Sequence, residues 1–343
     1  MSILTKLAGK PTSIDKRYDT DRRRNYERLR LALEKGDKII GRYPINVQIQ
    51  TISVCNGKCE FCPYVGSWSY RNPGKMTDEV YEKIINELSQ YKIRKFCPYL
   101  ENEPLLDGKL FERIEYAYGV LKPAWVEIST NLSVLNDDIL DNIVRLFSRI
   151  PHEIWVSFHG VSKDTYEDIM GLSFERTFSN VVRLVEVAQK IPLNIIIRGA
   201  GRPRLPGEEL KSWFGEKEYK EFWNGVFSKF KRKPEISFFT YHDRADAEQL
   251  KKKGMSFNRI FRENLEGFYC WRFDRWVHFL YTGEPILCCM DYERETAFGK
   301  TIKEASLEEL YSLPFYKELL MKGIGMVDSE QDFICKRCVS PRG

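Results

Sequence analysis

The stretch Cys55-Asn56-Gly57-Lys58-Cys59-Glu60-Phe61-Cys62-Pro63-Tyr64 decides the reading of this chain. Three cysteines stand at Cys-x3-Cys-x2-Cys spacing, directly behind an alternating apolar segment that runs from Ile45 to Val54. A loop this short can wrap three thiolates around one face of a metal centre. A structural zinc site asks for a fourth Cys or His, and none lies within thirty residues on either side. Thiolate-rich sites select zinc, copper(I) or iron–sulfur clusters, and the missing fourth ligand favours a cubane cluster with one iron left open.

Working outward, Ile45–Ile52 alternates apolar and polar residues and reads as a strand that delivers the cysteine loop at its C-terminal end. The same rhythm continues. Strands are predicted at Lys95–Leu100, Trp125–Thr130, Ile154–Phe158, Leu193–Arg198 and Glu235–Tyr241. Helical patterns separate them at Thr77–Tyr91, Lys109–Val120, Asp137–Ser148, Phe178–Lys190 and Glu216–Phe230. Six strands alternating with helices imply a parallel α/β sheet with right-handed crossovers. Chemistry then gathers at the C-terminal ends of the strands, where the cysteine loop lies. Residues 1–44 read as a helical lead-in, with an amphipathic helix at Tyr26–Gly36, and 45–241 as the core. Tyr241–Phe268 is a charged connector. Beyond Cys270 come short strands, Trp276–Tyr281 and Ile286–Cys289, around a turn at Thr282-Gly283-Glu284-Pro285, then helices at Ser306–Leu313 and near Tyr316–Lys322. Residues 242–343 are expected to form a smaller second domain.

The three-cysteine spacing, with Phe61 just before the third cysteine, resembles the signature of the radical S-adenosylmethionine (SAM) superfamily. The resemblance implies a partial (β/α)6 barrel of the TIM type, with Cys55, Cys59 and Cys62 as ligands of a 4Fe-4S cluster that binds SAM. The loop Glu101-Asn102-Glu103-Pro104-Leu105-Leu106 resembles the Gly-Gly-Glu-Pro motif that holds the SAM amino group. Glu103 takes the place of the motif's glutamate, while Glu101-Asn102 replaces its glycines. Ser129, Asn131 and Ser157 sit at predicted strand ends that look like family segments lining the SAM pocket. Arg198 ends the fifth strand, where a guanidinium can pair a carboxylate in a bidentate fork; an ordinary surface arginine is the plain alternative. His159 reads either as a catalytic base or as a satisfied polar side chain.

A second cysteine set comprises Cys270, Cys288, Cys335 and Cys338. The span Cys270-x12-Gly283-x4-Cys288 resembles the opening of the SPASM domain, and the four cysteines look like the shortened "twitch" version, which implies one auxiliary 4Fe-4S cluster. A four-cysteine structural zinc site is the competing reading. Cys97 reads as a small buried hydrophobe and Cys289 as an inert thiol, with a spare ligand or a hydrogen-atom donor as its alternatives. Asp291 stands just past Cys288, where related enzymes place a catalytic base; an exposed loop aspartate is the other reading.

Composition bounds the rest. The 343 residues are 43% hydrophobic and 30% charged, enough for a core and one large or two smaller domains. No apolar run approaches a membrane span, no signal core opens the chain, and nine cysteines, an odd number, argue for metal or catalytic use in a reducing cytoplasm. The net charge of +5 is carried partly by runs at Arg22-Arg23-Arg24, Lys229–Lys233 and Lys251-Lys252-Lys253. They read as solvated helix faces or as attraction for an anionic substrate, and no nucleic-acid motif accompanies them.

The resemblance implies an enzyme that takes an electron from a flavodoxin- or ferredoxin-type donor, cleaves SAM and abstracts hydrogen from a small molecule. The twitch-like pattern points first to oxidation of a sugar or cyclitol alcohol in natural-product or glycan biosynthesis. A peptide- or protein-modifying enzyme (maturase, epimerase or C–C bond former) or a small-molecule epimerase or decarboxylase is the alternative.

Overall fold

A computed structural model describes residues 13–201, 214–240 and 262–338. The described residues open with helix α1 (Ser13–Lys35), longer than the predicted Tyr26–Gly36 segment. Strand β1 (Ile45–Ile49) is buried along its whole length. Ile45, Val47 and Ile49 pack into the main core, while Gln48 lines a cavity on the other face. A strand covered on both sides by an α/β architecture is buried in this way, and each fully buried Val or Ile contributes roughly 1.5–3 kcal/mol.

Five further strands follow in parallel: β2 (Ile93–Cys97), β3 (Trp125–Thr130), β4 (His152–Ser157), β5 (Ile195–Gly201) and β6 (Glu235–Thr240). Helix α2 (Trp68–Arg71) is a single turn, and α3 (Asp78–Leu88), α4 (Leu110–Leu121) and α5 (Asp137–Phe147) alternate with the strands. The starts follow ordinary capping rules: Thr77 and Asn136 accept hydrogen bonds from the N–H groups of Val80 and Ile139. After β4 come α6 (Lys163–Met170) and α7 (Phe174–Ala188), and α8 (Glu216–Val226) precedes β6. Helix α6 was not among the predicted elements. Its signals are a capping box between Ser162 and Thr165 and a left-handed Gly171 at the end.

The C-terminal segment corrects the expected organisation of the sheet. Strand β7 (Trp276–Phe279) does turn back on β8 (Pro285–Ile286) as an antiparallel hairpin, as the turn sequence predicts. But β7 also pairs in parallel with β1, placing Asn46 opposite Trp276 and Ile49 opposite Phe279. The sheet therefore has eight strands in the order β6-β5-β4-β3-β2-β1-β7-β8. The physical reason is edge coverage: without β7, the free edge of β1 would leave a row of backbone donors and acceptors unpaired. The predicted domain boundary, most of the connector and Lys251–Lys253 lie outside the described residues. Among the described residues, no helix is long and apolar enough to cross a membrane.

Candidate active site

The cysteine loop is held on three sides by polar contacts. The hydroxyl of Tyr64 accepts from the N–H of Cys55 and donates to the carbonyl of Ser53, both at 3.0 Å. The N–H groups of Lys58 and Glu60 donate to the carbonyls of Met170 and Ile169, at 3.0 and 2.8 Å. These are among the last carbonyls of α6, which a helix leaves without internal partners. Asn56 donates to the Ser133 hydroxyl at 2.8 Å and accepts from the amide of Asn131 at 2.9 Å.

Cys55, Cys59 and Cys62 all line a cavity of about 530 Å³ at the C-terminal ends of the strands. All nine cysteines are free thiols. Burial, reinforced by the charge of Glu103, pushes the Cys55 thiol up to about 12. A thiol held so far from ionisation becomes a thiolate when a metal centre supplies the compensating positive charge. Among the described residues, no three His, Cys, Asp or Glu side chains converge on a single ion. A cubane does not ask for that, because each thiolate binds a different iron. The donor set therefore fits an iron–sulfur cluster with three protein ligands.

The loop after β2 forms the next wall. Glu103 is buried, and both of its oxygens are engaged: Oε1 accepts from the Thr130 hydroxyl and the Leu105 N–H, Oε2 from the Asn131 N–H. Burial pushes its carboxyl up to about 7 against these hydrogen bonds. Glu103 thus couples its own loop to the end of β3 while lining the cavity. Glu101 is also buried, with Oε2 accepting from Ser69 at 2.7 Å. Asp107 behind the same loop pairs with the buried Arg113 at 2.9 Å.

The remaining residues expected in the SAM pocket, Ser129, Asn131, Ser157 and Arg198, all line this cavity. Ser157 and Arg198 sit side by side in the β4–β5 register, and the Arg198 guanidinium lies over the Trp155 ring at 3.9 Å. Phe61 and His159 pack edge to face, 4.9 Å between ring centroids, with Phe239 beside both. His159 is therefore part of an aromatic wall.

Asp291 is placed differently from the expected base. It is 1% exposed. Its oxygens accept from the N–H groups of Glu295 and Thr296 and from the Thr296 hydroxyl, at 2.6–2.9 Å. The carboxylate is spent on shaping a turn and is absent from the cavity lining. Its neighbour Cys289, read as inert, does line the cavity and accepts from Arg272 Nε at 3.1 Å. The hydrogen bond with Cys288, then the Arg272 charge, hold the Cys289 thiol well below its ordinary value. Cys97 is buried, as expected.

In the second set three cysteines lie within electrostatic reach of one another, and the fourth, Cys288, within reach of Cys270. Cys270 feels Cys338, Cys335 feels both of these, and Cys288 feels Cys270. Arg262 donates to the carbonyls of Cys335 and Cys338. The sequence reading missed Tyr64, Arg272 and Gln48 as site residues, while Thr130 lies inside the strand end, residues 129–131, that it singled out. Tyr64 alone carried a signal, being next but one to the last cysteine.

Residues 49–215 match the family model of the Radical SAM superfamily. The chain carries a radical SAM domain. Such a domain implies a SAM-binding 4Fe-4S cluster. The fold is similar to that of BtrN in complex with AdoMet and 2-DOIA, with a TM-score of 0.55 at 13% identity over 88% of this chain and 95% of that one. It is also similar to that of Streptococcus suis SuiB bound to precursor peptide SuiA, with a TM-score of 0.54 at 13% identity over 92% of this chain and 75% of that one. At such identities the likeness concerns the fold of the radical SAM domain and its extension. No curated protein matches the sequence.

Proposed function

We propose that this radical SAM enzyme oxidises a secondary alcohol of a small polar molecule, of sugar or cyclitol type, to a ketone. In this reading Cys55, Cys59 and Cys62 hold the SAM-binding cluster, and Cys270, Cys288, Cys335 and Cys338 hold a second one within residues 242–343. Bound together, cluster and SAM supply a carbon-centred 5′-deoxyadenosyl radical, chemistry that no side chain provides. The chain positions the reactants and excludes water. The Glu103 loop and Asn131 lie beside the cysteine loop, where they would orient the amino-acid end of SAM, and Ser129, Ser157 and Arg198 offer partners for its polar groups. The Phe61–His159–Phe239 wall keeps one side of the cavity dry.

The observation that carries the reading is the composition of the cavity wall. Cys55, Cys59 and Cys62 line it, and so does Cys289, adjacent to candidate ligand Cys288. A substrate between them would lie between a hydrogen-atom acceptor and an electron acceptor, as an alcohol oxidation requires. The similarity in fold to BtrN with AdoMet and 2-DOIA supports this; that to SuiB with its peptide leaves peptide modification as the second reading. A flavodoxin- or ferredoxin-type protein would supply the first electron.

The test is anaerobic reconstitution of wild type and of the C55A/C59A/C62A variant, with iron and sulfide counted and both incubated with SAM, dithionite and a panel of sugars, cyclitols and short peptides. Wild type should carry about eight irons and the variant about four, at four per cluster. Wild type alone should yield 5′-deoxyadenosine and a ketone. Four irons in wild type and none in the variant would remove the electron acceptor and sink the dehydrogenase reading; turnover of a peptide alone would establish the second reading.

A further inference from the structure

We infer that Glu101 is the base that takes the hydroxyl proton of the substrate, an assignment that rests on the alcohol reading above. Glu101 lines the cavity and is 5% exposed. Its Oε2 is fixed by Ser69, whose hydroxyl in turn accepts from Gln50 Nε2 at 3.1 Å, and Gln50 Oε1 accepts from the Tyr281 N–H. This chain pins the carboxyl in one orientation. The other oxygen, Oε1, has no hydrogen-bond partner, and neither has the amide Nδ2 of the adjacent Asn102, which lines the same cavity. Buried polar atoms without partners are costly and infrequent. An acceptor and a donor without partners on consecutive cavity-lining residues complement one chemical group well: a hydroxyl, which donates to the carboxyl and accepts from the amide.

The surroundings tune this group for proton transfer. Burial, followed by the negative fields of Asp291, Cys289 and Glu293, raises Glu101 to about 8, against the hydrogen bond from Ser69. Asp291 is committed to its turn, Glu293 pairs with Arg71, and the Arg272 guanidinium faces the cavity beyond Cys289. A base with a proton affinity near the working pH is the efficient one. The step balances as follows. The carbinol C–H hydrogen leaves as an atom to the deoxyadenosyl carbon, the O–H proton passes to Glu101 Oε1, and the remaining electron goes to a one-electron acceptor of the iron–sulfur class, leaving a C=O bond.

The experiment uses the reconstituted holoenzyme with C-deuterated myo-inositol, glucose and glucosamine as probes. Wild type, E101Q and the shortened carboxylate E101D are followed for deuterium transfer into 5′-deoxyadenosine and for ketone, from pH 6 to 9. The expected result is that E101Q retains iron content and deuterium transfer but loses ketone by about a hundredfold or more, the range of a general base. Wild-type ketone should rise with pH toward a plateau above pH 8, E101D should recover part of the yield, and E101Q should lose the pH dependence. Ketone from E101Q within about threefold of wild type, with an unchanged pH profile, overturns the assignment, as does E101D no better than E101Q. No ketone from any probe in wild type, with deoxyadenosine still formed, is read without any variant: the alcohol reading falls and the assignment falls with it.

Discussion

The backbone N–H of Lys58, in the middle of the three-cysteine loop, donates to the carbonyl of Met170, the last residue of α6, at 3.0 Å. The loop is thereby seated on a helix end more than a hundred residues away in sequence. Directly after Met170 the chain turns through Gly171 at φ +63°, and a Cβ there would come within 3.3 Å of Lys58 Cβ. Gly171→Ala should therefore cost about 1–2 kcal/mol through the left-handed backbone. It should also lower the iron retained after gel filtration of reconstituted protein. Gly108→Ala, with no atom within 4 Å of the new methyl, should leave both unchanged. Equal iron retention in the two variants would dissociate α6 from the cysteine loop.

Tyr64 closes the other side of the loop. Tyr64→Phe removes a hydroxyl that serves the Cys55 N–H and the Ser53 carbonyl at once. Leaving these backbone groups unpaired should cost roughly 1–3 kcal/mol, measured by urea unfolding of the metal-free chain. A loss below a few tenths would mean that water replaces the hydroxyl.

The loop that carries Glu101 and Glu103 is anchored by the Arg113–Asp107 pair, both side chains under 10% exposed. Arg113 also donates to the carbonyl of Met76 at 2.6 Å. Arg113→Met leaves a buried carboxylate uncompensated and should destabilise the fold by about 3–5 kcal/mol. Adding Asp107→Asn should recover part of that loss, because the stranded charge is gone. Additive costs in the double variant would refute this account.

Glu101 makes stability depend on pH in a defined direction. Burial pushes its carboxyl up to about 8 in the folded chain, against an ordinary 4.5. Between these values the unfolded chain has lost the proton that the folded chain keeps, so stability falls as pH rises from about 4.5 to about 8 and the penalty is complete above that. Glu101→Gln carries no such charge and keeps an oxygen for Ser69. In urea unfolding its stability relative to wild type should rise from pH 5 to pH 8 and then level. A difference independent of pH would show that Glu101 is already ionised in the empty site.

Asp291 separates a structural carboxylate from a catalytic one. With three donors on its two oxygens, Asp291→Ala should cost roughly 1–3 kcal/mol in unfolding. The rise of ketone formation with pH should remain but move to lower pH, since the carboxylate is absent from the cavity lining while its charge helps to raise Glu101. A flattened profile with normal stability would return Asp291 to the catalytic role.

The sequence by itself determined the alternation of strands and helices, because side-chain period is local: Ile45–Ile49 alternates, and Trp125–Thr130 is a strand in the sequence pattern and in the fold alike. It also located the cysteine loop, since ligand spacing within ten residues is a property of the chain alone, and the resemblance to a family motif located the Glu103 loop. Only the tertiary structure decided how these pieces serve one another. That β7 completes the sheet beside β1 depends on pairing residues 46 and 276, which no local pattern encodes. That Asp291 turns inward to Thr296 while Cys289 faces the cavity depends on the path of a few residues after a short strand, where no periodicity assigns sides. And the open oxygen of Glu101 exists because Ser69, thirty-two residues earlier, takes the other one. Hydrogen-bond satisfaction is a long-range property, so the groups left unsatisfied, and the chemistry they point to, become visible only in the folded chain.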